Sequence, residues 1–442
     1  MTKIISTVGP ILSNKNIGFI VKNSGIVRLN MSHNTFDWHK QKMNLIKKFD
    51  PSKYILVDIP GAKPRTLNRT NIKIQKGEKI TFSYKLYKNK KSFISISNPL
   101  PKLYKKKIKY FSISDGNYLF KFIKLKDKRL VGESCQTFNL YPKKGLNIPF
   151  SVYNNKFQSK IYINFIKKIS KLKFDCIGLS FVQNSKIIKT LKKFNKNKIF
   201  ISKIENYLGY LNRKEIIKES DAIMIDRGDL AAEVGNEKLT EYADDIIKDC
   251  KLFSKPIIVA TENLNSLINS STPSKSDILN LDYYISKKTD FIMLSDETAT
   301  SKNWKNTIFW LNKYLKSKKK IFKKIEKINI QQILKKVENQ VLVIFTKKGY
   351  FLEKFRDQVY SKLIIFTQNK LLAKSANLKE NVKSFYVKFP KKNIDSFLYK
   401  NIKENKKIIF KDNSTAILLN VTFPRKKSKV NTFIIISKKD FL

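Results

Sequence analysis

Short runs of apolar and β-branched residues recur along the chain, and each ends in polar or charged residues. They are Lys3–Val8 (KIISTV), Gly25–Met31 (GIVRLNM), Tyr54–Ile59 (YILVDI) and Phe174–Phe181 (FDCIGLSF). Four more follow, Lys198–Glu205 (KIFISKIE), Ser220–Arg227 (SDAIMIDR), Pro256–Thr261 (PIIVAT) and Asp290–Glu297 (DFIMLSDE). Near-continuous apolar runs of this length read as strands buried on both faces, as in a parallel sheet. Most are separated by segments long enough for a crossover helix, among them Thr35–Phe49 and Lys238–Phe253. Eight such strands alternating with helices predict an α/β fold built on a closed (β/α)8 TIM barrel.

The pattern breaks between about residues 65 and 144. There the chain reads as short alternating strands, Ile72–Ile74, Lys79–Tyr84, Ser92–Ile96 and Phe111–Ser114, with Asp115-Gly116 as a turn. This predicts a small β-barrel domain inserted after the third barrel strand. Beyond the eighth strand Trp304–Tyr314 reads as a helix. Strand-like Val341–Phe345 and Leu363–Phe366, with a helical run between them, then open a further α/β unit. The expected division is a barrel over residues 1–66 and 144–325, the insertion over 67–143, and a C-terminal domain over 326–442.

Composition narrows the class. The 442 residues are 42% hydrophobic, ample for several cores. No apolar run approaches the ~18 residues of a membrane span, and MTKIISTVGP lacks a secretory-signal layout, so a cytoplasmic location is expected and no membrane partner. Three scattered cysteines, Cys135, Cys176 and Cys250, suit a reducing compartment. The charge of +55, from 90 Lys+Arg against 35 Asp+Glu, could gather nucleic acid. The lysines are spread over the whole chain, however, and Lys, Asn, Ile, Phe and Tyr are enriched together, as drift in an AT-rich genome produces. No specific nucleic-acid partner is therefore expected.

In such a barrel, chemistry sits where strands end and loops begin. Strand two ends in Arg28, Asn30 and Ser32, strand three in Asp58 followed by Arg65, and strand five in Lys203 and Glu205. Strand six ends in Arg227-Gly228-Asp229 and strand seven in Thr261. Glu205 and Asp229 can hold one magnesium ion, which favours oxygen ligands and leaves positions open for phosphate. Arg28 and Lys203 supply positive charge for a phosphoryl group in transit, where catalysis is mostly positioning and neutralisation. Taken singly each has a plainer reading. Lys-x-Glu on a strand is commonly a surface ion pair, Arg-Gly-Asp occurs by chance, Thr261 could be a helix N-cap and Asp58 a turn residue. Their joint fall at strand ends favours one pocket.

The segments TKIISTVGP, VRLNMSH (Val27–His33), KKGLNIP (Lys143–Pro149), ISKIEN (Ile201–Asn206), IMIDRGDLAAEV (Ile223–Val234), KPIIVAT (Lys255–Thr261) and IMLSDETA (Ile292–Ala299) resemble those of the pyruvate kinase family, in the same order. The resemblance runs from residue 1 to about 300 and implies the three-part architecture read above. It implies transfer of the phosphoryl group of phosphoenolpyruvate to ADP, with Mg2+ or Mn2+ as cofactor and a homotetramer as the assembly. By position, Arg28 and Lys203 would act on the phosphate, with Glu205 and Asp229 as metal ligands. Gly228, Asp229 and Thr261 would hold the substrate carboxylate, and Arg65, Lys144 and His33 would bind nucleotide.

Several positions depart from the family pattern. Potassium-dependent members carry threonine and glutamate where this chain has Ile59 and Lys63. Lys63 is therefore expected to replace the monovalent cation, with Asn30, Ser32 and Asp58 as neighbours and K+ not required. Asp226 stands in place of an alanine beside the substrate carboxylate, where it would weaken binding unless it turned away or paired with a lysine. Leu279–Tyr283 (LNLDY) replaces a segment tied to local packing or the subunit interface. Thr346-Lys347-Lys348-Gly349-Tyr350 replaces a hydroxyl-rich effector loop, so weak sugar-phosphate regulation is expected. Two other classes compete: a catalytically weakened descendant kept for binding, and a metal-dependent pyruvate or phosphoenolpyruvate lyase. Retention of Arg28, Lys203, Glu205, Asp229 and Thr261 speaks against the first, and the insertion with Arg65 and Lys144 against the second.

Overall fold

A computed structural model describes residues 2–84, 92–104, 108–126, 128–329, 341–347, 349, 361–390, 392–411, 414–421 and 432–441. Lys348, Tyr350 and most of the helical run expected between Phe345 and Leu363 lie outside them. Eight parallel strands close into a barrel: β1 (Lys3–Thr7), β2 (Ile26–Asn30), β3 (Tyr54–Ile59), β4 (Cys176–Leu179), β5 (Ile199–Ile204), β6 (Ala222–Asp226), β7 (Ile257–Ala260) and β8 (Phe291–Leu294). Each pairs with its chain neighbour, and β8 returns to β1 with Lys3 opposite Phe291. The expected runs coincide with these strands to within two residues at each end, except that the eighth overshoots by three, at Glu297.

The strands' two faces build two cores. Ile4, Val27, Leu29, Val57, Ile177, Ile223, Val259 and Ile292 face outward, against Ile17 and Ile20 of one covering helix and Ile246 and Ile247 of another. Ile5, Ile26, Leu56, Ile201, Met224, Ile258 and Met293 fill the interior, at the opposite parity of each strand. Leu378, from the C-terminal unit, joins this inner cluster, and Lys374 beside it bonds the Asn197 carbonyl at 3.0 Å. The C-terminal unit therefore covers the N-terminal mouth of the barrel and leaves the other mouth to the site. Its sheet has the order Val382–Tyr386, Lys362–Thr367, Val341–Thr346, Thr415–Val421, Thr432–Ser437, with only the last strand antiparallel.

After β3 the chain enters the insertion. Its sheet runs Leu146–Asn147, Tyr110–Ile113, Tyr118–Lys126, Arg129–Ser134, Lys79–Ser83, Phe93–Ser95, and two short ladders join Ile72–Ile74 to Phe138–Leu140 and Lys102–Leu103 to Ser151–Val152. All but the last ladder's Ser151–Val152 contribute to one apolar cluster around Phe82, Phe111 and Phe120. Asp115 (φ 55°) and Gly116 (φ 94°) form the expected turn. No described helix is long and apolar enough to cross a membrane.

Candidate active site

Period-two geometry of the strands puts the charged residues in place. Arg28 follows inward-facing Ile26 by two, Asp58 follows Leu56, Lys203 follows Ile201 and Asp226 follows Met224, so four polar side chains rise along the same inward faces. Glu205 continues the β5 row. Apolar interior at one end and ionic interior at the other is thus written into single strands.

Asp58 organises the cations. Its Oδ2 accepts from Arg28 Nε at 3.0 Å and Nη2 at 2.7 Å, and Lys203 Nζ lies 3.4 Å away. Arg28 Nη1 also donates to Thr7 Oγ1 at 3.0 Å. Lys203 Nζ further meets Glu205 Oε1 at 2.7 Å, Asp226 Oδ2 at 3.1 Å and Ser180 Oγ at 3.5 Å. Burial opposes charge at both Asp58 and Lys203, yet their mutual attraction prevails. The Asp58 carboxyl lies below its usual range through Lys203 and Arg28, and the Lys203 ammonium is held well above its own through Asp58, Glu205 and Asp226.

Three carboxylates, Glu205, Asp226 and Asp229, bring ligand oxygens within 4.8 Å of one another. Burial, reinforced by Asp226 and Asp229, pushes the Glu205 carboxyl up despite Lys203. Burial, with Asp115 and Asp226, likewise raises Asp229 despite Lys63. Buried carboxyls that repel one another gain most from a shared cation, and hard oxygen donors suit Mg2+ or Mn2+, so the donor set fits the implied metal. Asp226, flagged in the sequence as an awkward extra charge, is accommodated by pairing with Lys203 and by accepting from Thr261 Oγ1 at 3.2 Å.

Thr261 occupies a left-handed turn (φ 62°), followed by Glu262 (φ 50°). A β-branched residue there is strained by about 1–3 kcal/mol and persists only where its surroundings over-determine it. Arg227 supplies that restraint. Its buried guanidinium donates to the carbonyls of Ala260 (3.2 Å) and Thr261, to Asn263 Oδ1 (3.1 Å) and to Asn280 Oδ1 (2.5 Å), and it lies 4.9 Å from the Tyr284 ring centre. The divergent Leu279–Tyr283 segment therefore contributes Asn280 to the site, while Leu279 beside it is 70% exposed. With the loop fixed, Thr261 Oγ1 accepts from the Gly228 N–H at 3.0 Å, at the start of the helix Arg227–Val234.

Lys63 does not keep its expected company. Its Nζ lies 2.5 Å from Asp229 Oδ1 and 2.8 Å from Asp115 Oδ1. Asn30, Ser32 and Asp58 are engaged elsewhere: Asn30 Oδ1 accepts from the Ser32 N–H at 3.0 Å, and Asp58 serves Arg28 and Lys203. Chain topology sets these partners. Lys63 lies beyond the end of β3, and its chain runs beside Gly145, where a Cβ would fall 2.5 Å from the Lys63 Cε. Lys63 is pulled down by burial but raised on balance by Asp229 and Asp115, and Lys63 in turn holds Asp115 down at about 2.

Arg65 bridges to Gly145 and donates to the Lys143 carbonyl at 3.3 Å, while the Lys144 N–H donates to Thr66 Oγ1 at 3.1 Å. Both sit at the join between insertion and barrel, and both carry charge toward Asp115. His33 lies at the rim with much of its surface open, yet the protein mass around its ring, then Arg65 and Arg28, hold its pKa below the ordinary value. The structure thus gathers Arg28, Asp58, Lys63, Lys203, Glu205, Gly228, Asp229 and Thr261 at one mouth. Sequence reasoning missed Ser180, the bracing role of Arg227, Asn280, Asp115 as a Lys63 partner, and Asn147, whose Nδ2 donates to Asp229 Oδ1 at 3.0 Å. Of these, only Asp115 and Arg227 carried a signal, a turn and a charge at a strand end.

Comparison with known proteins follows the same lines. Residues 1–308 match the model of the pyruvate kinase barrel domain. The chain is 30% identical to a pyruvate kinase of Thermococcus litoralis over 317 residues, 68% of this chain and 66% of that one. It is 29% identical to a pyruvate kinase of Thermotoga maritima over 334 residues, 72% and 71% of the two chains. The match thus spans about two thirds of these curated relatives. A solved pyruvate kinase from Cryptosporidium parvum superposes with a TM-score of 0.72 over 99% of this chain and 96% of that one, at 22% identity, a likeness of fold.

Proposed function

The chain belongs to the pyruvate kinase family, and on that premise we propose that it transfers the phosphoryl group of phosphoenolpyruvate to ADP, forming pyruvate and ATP. The observation that carries the proposal is the convergence of Arg28, Lys203, Glu205, Asp229 and Thr261, from four strands, at the C-terminal mouth of one barrel.

Glu205 and Asp229 are the residues proposed to hold a divalent cation, which when bound supplies charge neutralisation and orients phosphate oxygens. The chain's own groups do the rest. Arg28, fixed by Asp58 and Thr7, presents its guanidinium to the transferring phosphate. Lys203 balances negative charge that moves between that phosphate and the enolate oxygen as the enol P–O bond breaks and a β-phosphate oxygen of ADP forms the new one. The enolate then takes a proton from water at its methylene carbon. The start of the helix Arg227–Val234, where the Gly228 N–H and the Thr261 hydroxyl meet, suits the substrate carboxylate. Arg65, Lys144 and His33, at the rim and the join, suit the nucleotide phosphates. Closure of the insertion over the mouth excludes water, so that ADP accepts the phosphoryl group.

We propose further that potassium is not required. Support comes from a fixed ammonium, Lys63, already placed on Asp229, and from Ile59, which offers no hydroxyl at the end of β3. The test is pyruvate formation from phosphoenolpyruvate and ADP with Mg2+, coupled to NADH oxidation by lactate dehydrogenase. Turnover in potassium-free buffer supports both statements. Turnover only on adding potassium removes the second, and no turnover under either condition removes the first.

A further inference from the structure

Asp226 has no role in the reading above, although it is the last residue of β6 and 5% exposed at the centre of the site. An octahedral ion with donors at about 2.1 Å places them roughly 3–4 Å apart, so ligand oxygens of Glu205, Asp226 and Asp229 within 4.8 Å of one another can close on one ion with small shifts. Neither present bond of Asp226 prevents this. Oδ1 accepts from Thr261 and Oδ2 faces Lys203, one contact on each, and a carboxylate oxygen has two lone pairs. Lys203 is also the partner that can best release it. Its ammonium has three donors and four neighbours, Asp58, Ser180, Glu205 and Asp226.

We propose that Asp226 is a third carboxylate ligand, so that Glu205, Asp226 and Asp229 together hold the divalent cation before substrate enters. This rests on the assignment of Glu205 and Asp229 as metal ligands. As Asp226 turns to the cation it loosens its hold on Lys203, whose ammonium is then free to meet the incoming phosphate. Binding of the ion and readying of the lysine become one event, in which the Asp226 contact at 3.1 Å is released beside that of Glu205 at 2.7 Å. The rival consequence of the same geometry is competition, with Asp226 lying on Thr261 and obstructing the substrate carboxylate.

The experiment is a Mn2+ titration of the full chain without substrate, reading free Mn2+ by its EPR signal. Asp226→Asn, which keeps an acceptor for Thr261, is expected to raise the Mn2+ Kd about tenfold or more, with Glu205→Gln and Asp229→Asn as reference variants. If Glu205→Gln loses Mn2+ while Asp226→Asn binds like the unsubstituted chain, the third ligand is refuted and the metal assignment stands. If all three variants bind like the unsubstituted chain, the metal assignment itself fails. A tighter phosphoenolpyruvate KM in Asp226→Asn with unchanged Mn2+ affinity would establish competition instead. Should the variant misfold, water-proton relaxation on the unsubstituted chain decides. An octahedral ion with three protein ligands keeps about three exchangeable waters, and about four would contradict the proposal.

Discussion

Replacing Lys63 by methionine isolates one charge. The side chain is 4% exposed, so methionine keeps most of its apolar stem and removes only the ammonium. Asp229 then loses a contact at 2.5 Å and retains the Asn147 amide at 3.0 Å. Removing one partner of a buried pair costs about 3–5 kcal/mol, because the other charge stays buried. The Asp115 half adds little, since that side chain is 63% exposed, and exposed pairs contribute about 0–1 kcal/mol. The penalty should therefore be local, near 3 kcal/mol, and specific to uncompensated charge on Asp229. In a chain of several units a single melting temperature would blur it, so amide hydrogen exchange across residues 222–234 is the better assay. Lys63→Met should lose roughly a hundredfold protection there without divalent cation, taking about 1.4 kcal/mol per decade. Saturating Mg2+ should restore most of it, and restore more than it adds to the unsubstituted chain. Equal protection in the two chains, or a loss that Mg2+ leaves untouched, would refute the electrostatic argument.

Three further outcomes are expected. Arg227→Met removes the brace on the left-handed Thr261 turn, so KM for phosphoenolpyruvate should rise tenfold or more while Mn2+ affinity changes little; an unaltered KM would show that the turn holds itself. Burial lifts the Glu233 carboxyl to about 8 from 4.5, against the bonds from Ser151. The folded state keeps a proton that the unfolded chain releases, so this group subtracts from stability as pH rises from 4.5 through 8, by up to ~1.4 kcal/mol per pH unit. Glu233→Gln should flatten urea stability over that window, and parallel pH profiles would contradict the shift. A sugar bisphosphate should leave the phosphoenolpyruvate saturation curve in place, because Thr346 Oγ1 is already used by the Gly349 N–H at 3.1 Å; a large left shift would overturn that.

How much of this was legible in the sequence depends on the range of the interaction involved. Barrel strands are encoded locally, as buried runs such as YILVDI, and their expected ends overshoot by no more than three residues, where the run continues into the adjoining turn. The insertion was harder. Tyr118–Lys126 interleaves lysines irregularly because much of it faces solvent, and Arg129–Ser134 contains Gly132, a residue that argues against a strand. Its reason is packing: a Cβ on Gly132 would fall 2.3 Å from the Phe111 ring, and the register shifts beside it at Val131. Arg28, Lys203, Glu205, Asp229 and Thr261 could be picked out because each lies among the last three residues of a barrel strand or the three that follow it. Ser180, Asn147 and Asn280 could not, since they come from a turn after β4, a short strand of the insertion and the helix Lys275–Ser286, and nothing local announces their partners. Lys63 stands out in the sequence, but its neighbours do not, because Asp115 reaches it from a turn 52 residues further along the chain.

The central claim is that the cations and carboxylates at this mouth move a phosphoryl group from an enol to a nucleoside diphosphate. It is tested most directly by 31P NMR of the full chain with phosphoenolpyruvate, ADP and Mg2+. The phosphoenolpyruvate resonance should disappear with matching growth of the β-phosphate signal of ATP, and conversion should be at least a thousandfold slower in a folded Lys203→Met chain. Phosphoenolpyruvate that persists unchanged, releases only inorganic phosphate, or is converted equally fast without the Lys203 ammonium would contradict it.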